Sequence, residues 1–146
     1  MAIAVSGVRL ALAAKIAALA GFSEARVPFE AFGRTANSVA HLRFCVATSR
    51  TTRGASRQRK NSPVAVTTQA IIRFAYRLRP RSAYPADYDS ATDTEETVIF
   101  AVLNGDFLAS APEIAIRYDE SARTLTDSGE FLIVDVSLSI DHYLTS

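Results

Sequence analysis

Apolar residues recur at three- and four-residue steps through the first twenty positions, at Val5, Val8, Leu12, Ile16 and Leu19. That spacing keeps side chains on one side of a helix, so the pattern predicts an amphipathic helix with Gly21 as its stop. Residues 22–40 show no period, and Pro28 and Gly33 break them further. From His41 to Thr48 the period changes to two. Leu42, Phe44 and Val46 then fall on one face of a strand, with His41, Arg43 and Cys45 on the other. The longest alternating run covers residues 64–78. Val64, Val66, Ala70, Ile72, Phe74, Tyr76 and Leu78 share one face, and Gln69, Arg73 and Arg77 share the other.

Pro80 and Pro85 bracket a predicted turn, and a helix follows from about Asp87 to Leu103. Tyr88, Ala91, Val98 and Val102 mark its buried side, and Asn104-Gly105 ends it. Asp87, Asp89, Asp93, Glu95 and Glu96 crowd this helix, and those near its start suit the positive end of the helix dipole. A short strand is expected over residues 113–118, then a turn at Asp119-Glu120 and a further short strand at residues 123–125. After Asp127-Ser128-Gly129 the last strand alternates from Phe131 to about Leu144. Leu132, Val134, Val136, Leu138 and Ile140 point inward, and Asp135, Ser137, Ser139 and Asp141 point away. The element order implies one α+β domain over residues 1–146, with a mainly antiparallel sheet, a long hairpin and helices packed on one face. On the polar face, Arg73 and Arg77 stand as candidates for charge contacts with Asp135 and Asp141, within the chain or between subunits.

Between the two hairpin strands, residues 49–63 hold no acid and no large apolar residue, but they carry Arg50, Arg53, Arg57, Arg59 and Lys60. Such a segment cannot bury a core and is expected to be an exposed, mobile loop that meets an acidic protein surface or nucleic-acid phosphates. It has no aromatic side chains, which argues against base stacking.

Composition changes the picture in one respect. The 146 residues sum to a net charge of +1, but residues 1–81 carry +12 and residues 82–146 carry −11. A chain divided in this way can pair its halves internally or present opposite faces to identical neighbours. The single cysteine, Cys45, has no internal partner for a disulfide, and Arg9 and Lys15 interrupt the apolar run that a leader or membrane span would need.

No catalytic constellation is legible. No phosphate-cradling glycine loop, nucleophile elbow or metal-binding cysteine pair occurs. His41 and His142 are expected on strands without a helper group at catalytic spacing, and a helix would spread the five carboxylates around its circumference. No enzymatic activity, cofactor or metal is therefore expected.

The order of features is nevertheless distinctive. An N-terminal helix precedes HLRFCV (41–46), a polar Arg-rich loop and VAVTTQAIIRFAYRLRP (64–80). DYDSATDTEETVIFAVL (87–103) and the closing GEFLIVDVSLSIDHYL (129–144) follow. This order resembles that of the tail terminator, or tail completion, proteins of long-tailed phages and phage-like gene transfer particles. The resemblance implies a virion protein, assembled in the host cytoplasm, that forms a ring at the tail neck, usually of six copies. Such a ring caps the tail tube, stops its polymerisation and presents a joining surface to the head connector or stopper protein. DNA passes through its channel. Two alternatives remain open at this point: another head–tail connector or tail-tube ring protein, and a small nucleic-acid-binding protein. The overall charge of +1 disfavours the latter.

Overall fold

The computed structural model describes residues 3–25, 39–54, 60–61, 63–104 and 114–144. Two helices lie on one face of a five-stranded sheet: α1 (Val5–Ala17), β1 (Ser23–Glu24), β2 (Arg43–Arg53), β3 (Ala65–Arg77), α2 (Tyr84–Leu103), β4 (Ala115–Leu125) and β5 (Phe131–Tyr143). The strand order is β1-β2-β3-β5-β4. Every pairing is antiparallel except the two-residue parallel contact of β1 with β2. The expected α+β architecture is what the chain adopts.

Alternation decides the layers. Phe44 and Val46 of β2, Ala70, Ile72 and Phe74 of β3, and Val134, Val136, Leu138 and Ile140 of β5 are nearly or wholly buried on the helix-bearing face. Against them α1 sets Val8, Leu12 and Ile16, and α2 sets Ala91, Val98 and Val102. Burying a side chain of this size contributes about 1.5–3 kcal/mol, so this layer is the main source of stability. The opposite face has a smaller apolar cluster of Ala25, Cys45, Ala75 and Ile133. The thiol there is packed at 1% exposure.

Several expectations need correction. The basic segment does not begin as a loop at Ser49. The β2 strand continues to Arg53, past a bulge between Thr48 and Arg50, and pairs with β3 as far as Val66. Thr and Ser side chains permit this, since Thr51 Oγ1 meets Thr68 Oγ1 at 3.1 Å and Thr52 Oγ1 donates to the Thr67 carbonyl at 3.4 Å. The hairpin is no free arm either, because β5 lies along β3 to the Ala65–Tyr143 pair.

Pro85 does not close a turn before α2; it sits in the helix's first turn, where a missing N–H costs nothing, after a 3-10 turn over Arg81–Ala83. Tyr88 is 38% exposed, and the buried stripe carries Asp87 and Glu95 instead. Asp119-Glu120 is not a turn. Residues 115–125 form one strand with a bulge between Tyr118 and Glu120. The bulge is pinned by Ser139 Oγ donating to Asp119 Oδ2 at 2.5 Å and by a 2.6 Å contact between the Tyr118 and Ser121 hydroxyls. A bulge and a turn draw on the same short polar residues, so local sequence does not separate them. His41 lies in the turn before β2 rather than in it. The turn expected at Asp127-Ser128-Gly129 is present, with Gly129 at a φ of 72° that suits a residue without a Cβ.

Candidate interaction surface

The sheet order converts the charge division of the chain into a spatial one. Residues up to 81 supply α1 and the strands β1, β2 and β3, whereas later residues supply α2, β5 and β4. Among the described residues, the first group carries ten Lys and Arg against Glu24. The second carries eleven acids against Arg117 and Arg123. One side of the sheet is therefore basic and the other acidic.

On the basic side, Arg50 and Arg53 are exposed on the outer half of β2, a strand anchored by β3, and Lys60 is exposed beyond it. Arg57 and Arg59 lie outside the described residues. At the opposite end of β3, Arg77, Arg79 and Arg81 line an open cleft of about 720 Å³ with Leu78, Pro80, Tyr84, Ser128, Gly129 and Glu130. Arg77, Arg79 and Arg81 alternate along the chain, and that alternation is the signal in the sequence for this cleft. Asp87 engages Arg79 through the side chain at 2.8 and 3.0 Å, and it accepts the Arg79 backbone N–H at 2.7 Å. These hydrogen bonds hold the Asp87 carboxyl down at a pKa of about 2.

The polar face of the sheet brings together part of the expected charge set. Arg73 stands directly opposite Asp135 and donates two hydrogen bonds to it, at 2.6 and 2.8 Å. The Arg73 pKa is raised, first by those bonds. Asp141 takes Thr67 Oγ1 at 2.6 Å and pairs with Arg117, not Arg77. Arg77 faces Phe131 across the strands and is exposed. Asp135 and Asp141 are thus engaged within the chain. Arg117 lies on the part of β4 that the sequence pattern marks as strand, but local pattern does not show that β4 pairs with β5, which is what brings Arg117 to Asp141.

The acidic side has a second ion pair. Glu95 on α2 points inward, its side chain 5% exposed, and accepts both Arg123 donors at 2.9 and 2.6 Å. Around this pair, Tyr88 (38% exposed), Tyr118 (40%) and Leu125 (48%) show apolar surface to the outside. Beside them, among the described residues, β4 forms ladder hydrogen bonds through one edge only, to β5.

The histidines take structural positions. His142 is buried and holds Thr68 Oγ1 at 2.7 Å through Nε2 and the Ile3 carbonyl at 3.0 Å through Nδ1, tying the start of the chain to the sheet. His41 Nδ1 accepts the Arg77 backbone N–H at 3.1 Å, and its ring packs edge-on against Tyr76. Burial and then the Arg77 charge lower the His41 pKa from its ordinary 6.5. Among the described residues no three His, Cys, Asp or Glu side chains converge to hold a metal ion. No helix among them is long and apolar enough to cross a membrane. No family model and no curated protein matches this chain.

Proposed function

We propose that this protein is a structural ring subunit of a phage-type tail, six copies of which cap the tail tube, stop its polymerisation and form the joining surface for the head connector. The observation that carries this reading is the lateral separation of charge across the fold, basic on the β2 side and acidic on the side of α2 and β5. An identical neighbour placed beside such a subunit meets the opposite sign, and repetition of one heterologous contact closes a ring when the rotation allows. The resemblance to tail terminators rests on the order of these elements and points the same way. The polar groups found at the histidines and at Glu95 are consumed by structural contacts, which favours an assembly role over catalysis. Within that role, the Arg50 and Arg53 strand and the Arg77–Arg81 cleft provide cations for contact with DNA in the channel or with an acidic neighbouring protein.

The test is deletion of the gene from the genome that carries it, followed by electron microscopy of the particles. Tails of uncontrolled length, or finished tails without heads, are expected, with normal particles restored by the intact protein supplied in trans. Infectious particles with tails of normal length in the deletion strain would overturn the reading.

A further inference from the structure

We infer that copies of this chain join head to tail by sheet extension, the open edge of β4 in one copy adding to the open outer edge of β2, over residues 48–53, in the next. The inference takes the ring reading as its frame only for the closure of successive contacts. The contact itself rests on the two edges.

β4 is eleven residues long and, among the described residues, forms a ladder only with β5. Thr126 donates its N–H to the Phe131 carbonyl at 3.0 Å, which sets the alternation along the ladder. The N–H and C=O groups of Thr124 and Ala122 therefore point to β5, and those of Leu125, Arg123 and Ser121 point outward. A row of unpaired backbone groups on a strand this long is a template for another strand. Beside this edge, on the helix-bearing side, stand the exposed Tyr88, Tyr118 and Leu125, apolar side chains that a partner would cover. At the other end of the sheet, among the described residues, β1 covers only the start of β2, at Arg43 and Phe44. The remaining outer half of β2 is exposed along residues 49–53.

Charge and direction select the occupant. The β4 edge has Asp119 and Glu120 at its middle, between Arg117 and Arg123, whose charges are taken up by Asp141 and Glu95, and the β2 edge has Arg50 and Arg53. Each of β2–β3, β3–β5 and β5–β4 is antiparallel, so β4 runs opposite to β2. A second copy in the same orientation thus offers its β2 to β4 as an antiparallel neighbour, with the polar sheet faces continuous. The two-fold alternatives are disfavoured. Full overlap of β4 with its own copy is centred on Glu120 and sets acid against acid, whereas β2 with its own copy sets arginine against arginine. Only the unlike edges attract, and that contact is heterologous, as a ring requires.

The test uses the full-length chain, with its mass in solution followed by sedimentation over a wide concentration range and its fold checked by circular dichroism. The wild type is expected to associate. Glu120→Arg and the pair Arg50→Glu with Arg53→Glu should each weaken association by about tenfold or more, since each puts like charges across the new strand pair. Glu120→Arg combined with Arg50→Glu and Arg53→Glu in one chain should restore association, because both edges have then exchanged sign. Ser121→Pro, at a position whose N–H makes no bond to β5, should leave a folded chain that does not associate. Oligomers of wild-type mass in all of these variants would overturn this interface and leave the ring reading standing on another surface. A wild type that stays monomeric at every concentration would overturn self-association through these edges. The ring reading is decided separately, by the tails of the deletion strain.

Discussion

Two carboxylates on α2, at a helical spacing of eight, do different work from that expected of acids at a helix start. Asp87 and Glu95 face inward with Ala91, and each meets an arginine from elsewhere in the fold, Arg79 and Arg123. A carboxylate at 5% exposure would incur a large desolvation cost alone, so its arginine is indispensable in a way that an exposed ion pair is not. Arg123→Ala is expected to lower stability by about 2–3 kcal/mol, less than for a wholly buried pair because the Arg123 side chain is 39% exposed. Replacing both members, Glu95→Leu with Arg123→Leu, should recover most of that loss. Chemical denaturation of the three variants measures both effects; equal loss in single and double variants would show that packing, not the stranded charge, governs the site.

At the scale of elements, the hairpin of β2 and β3 shows how a polar sequence can be made into strand. Residues 49–53 have no apolar side chain to bury, yet they hold their place because β3 is fixed on its far side by β5 and offers a complete ladder to pair with. Their exposed cations add little to that stability. Changing Arg50, Arg53, Arg57, Arg59 and Lys60 together to serine is therefore expected to shift the unfolding free energy by less than about 1 kcal/mol. The same variant should lose assembly, because it removes the positive charge of the β2 edge. Thermal unfolding and solution mass, measured on one preparation, separate the two outcomes. A large drop in unfolding temperature would assign the cations to the fold, and unchanged assembly would make them idle.

For the molecule as a whole, the pH dependence of stability follows from groups whose neutral or charged form the fold prefers. Asp87 falls from 3.8 unfolded to about 2 folded, chiefly through its hydrogen bonds from Arg79. Its contribution is full above the unfolded value and is lost as pH falls through about 2. His41 is lowered from 6.5 by burial and by Arg77, so its contribution is present above 6.5 and is lost as pH falls through the depressed value. Unfolding midpoints are thus expected to decline in two stages on acidification. Asp87→Asn should remove the lower stage, and His41→Gln the upper. A profile that keeps both stages in both variants would place the linkage elsewhere. The charge division is partly met inside the fold, by the Arg73–Asp135 and Arg79–Asp87 pairs, and in the proposed ring the remainder acts between molecules.

Which faces are apolar was written in the chain itself. The three- and four-residue steps of Val8, Leu12 and Ile16 and the two-residue alternation of Ala70, Ile72 and Phe74, or of Val134, Val136 and Leu138, are local properties, and they correctly marked the helix, the strands and the face each buries. The Arg73–Asp135 pair was legible for the same reason, as both lie on the polar phase of long alternating strands. The β4 strand was not legible as one element. It is an edge strand with every residue at least partly exposed, so its burial pattern is weak, and its bulge reads locally as a turn. The extent of β2 was hidden likewise, because Arg50 to Arg53 are held by backbone pairing to β3 and not by their side chains. Strand order was beyond local pattern altogether, for it depends on which ladders form between residues as far apart in the chain as Ala65 and Tyr143. That order sets β3 beside β5, leaves β4 and the outer half of β2 as open edges among the described residues, and turns a charge imbalance along the sequence into one across the molecule.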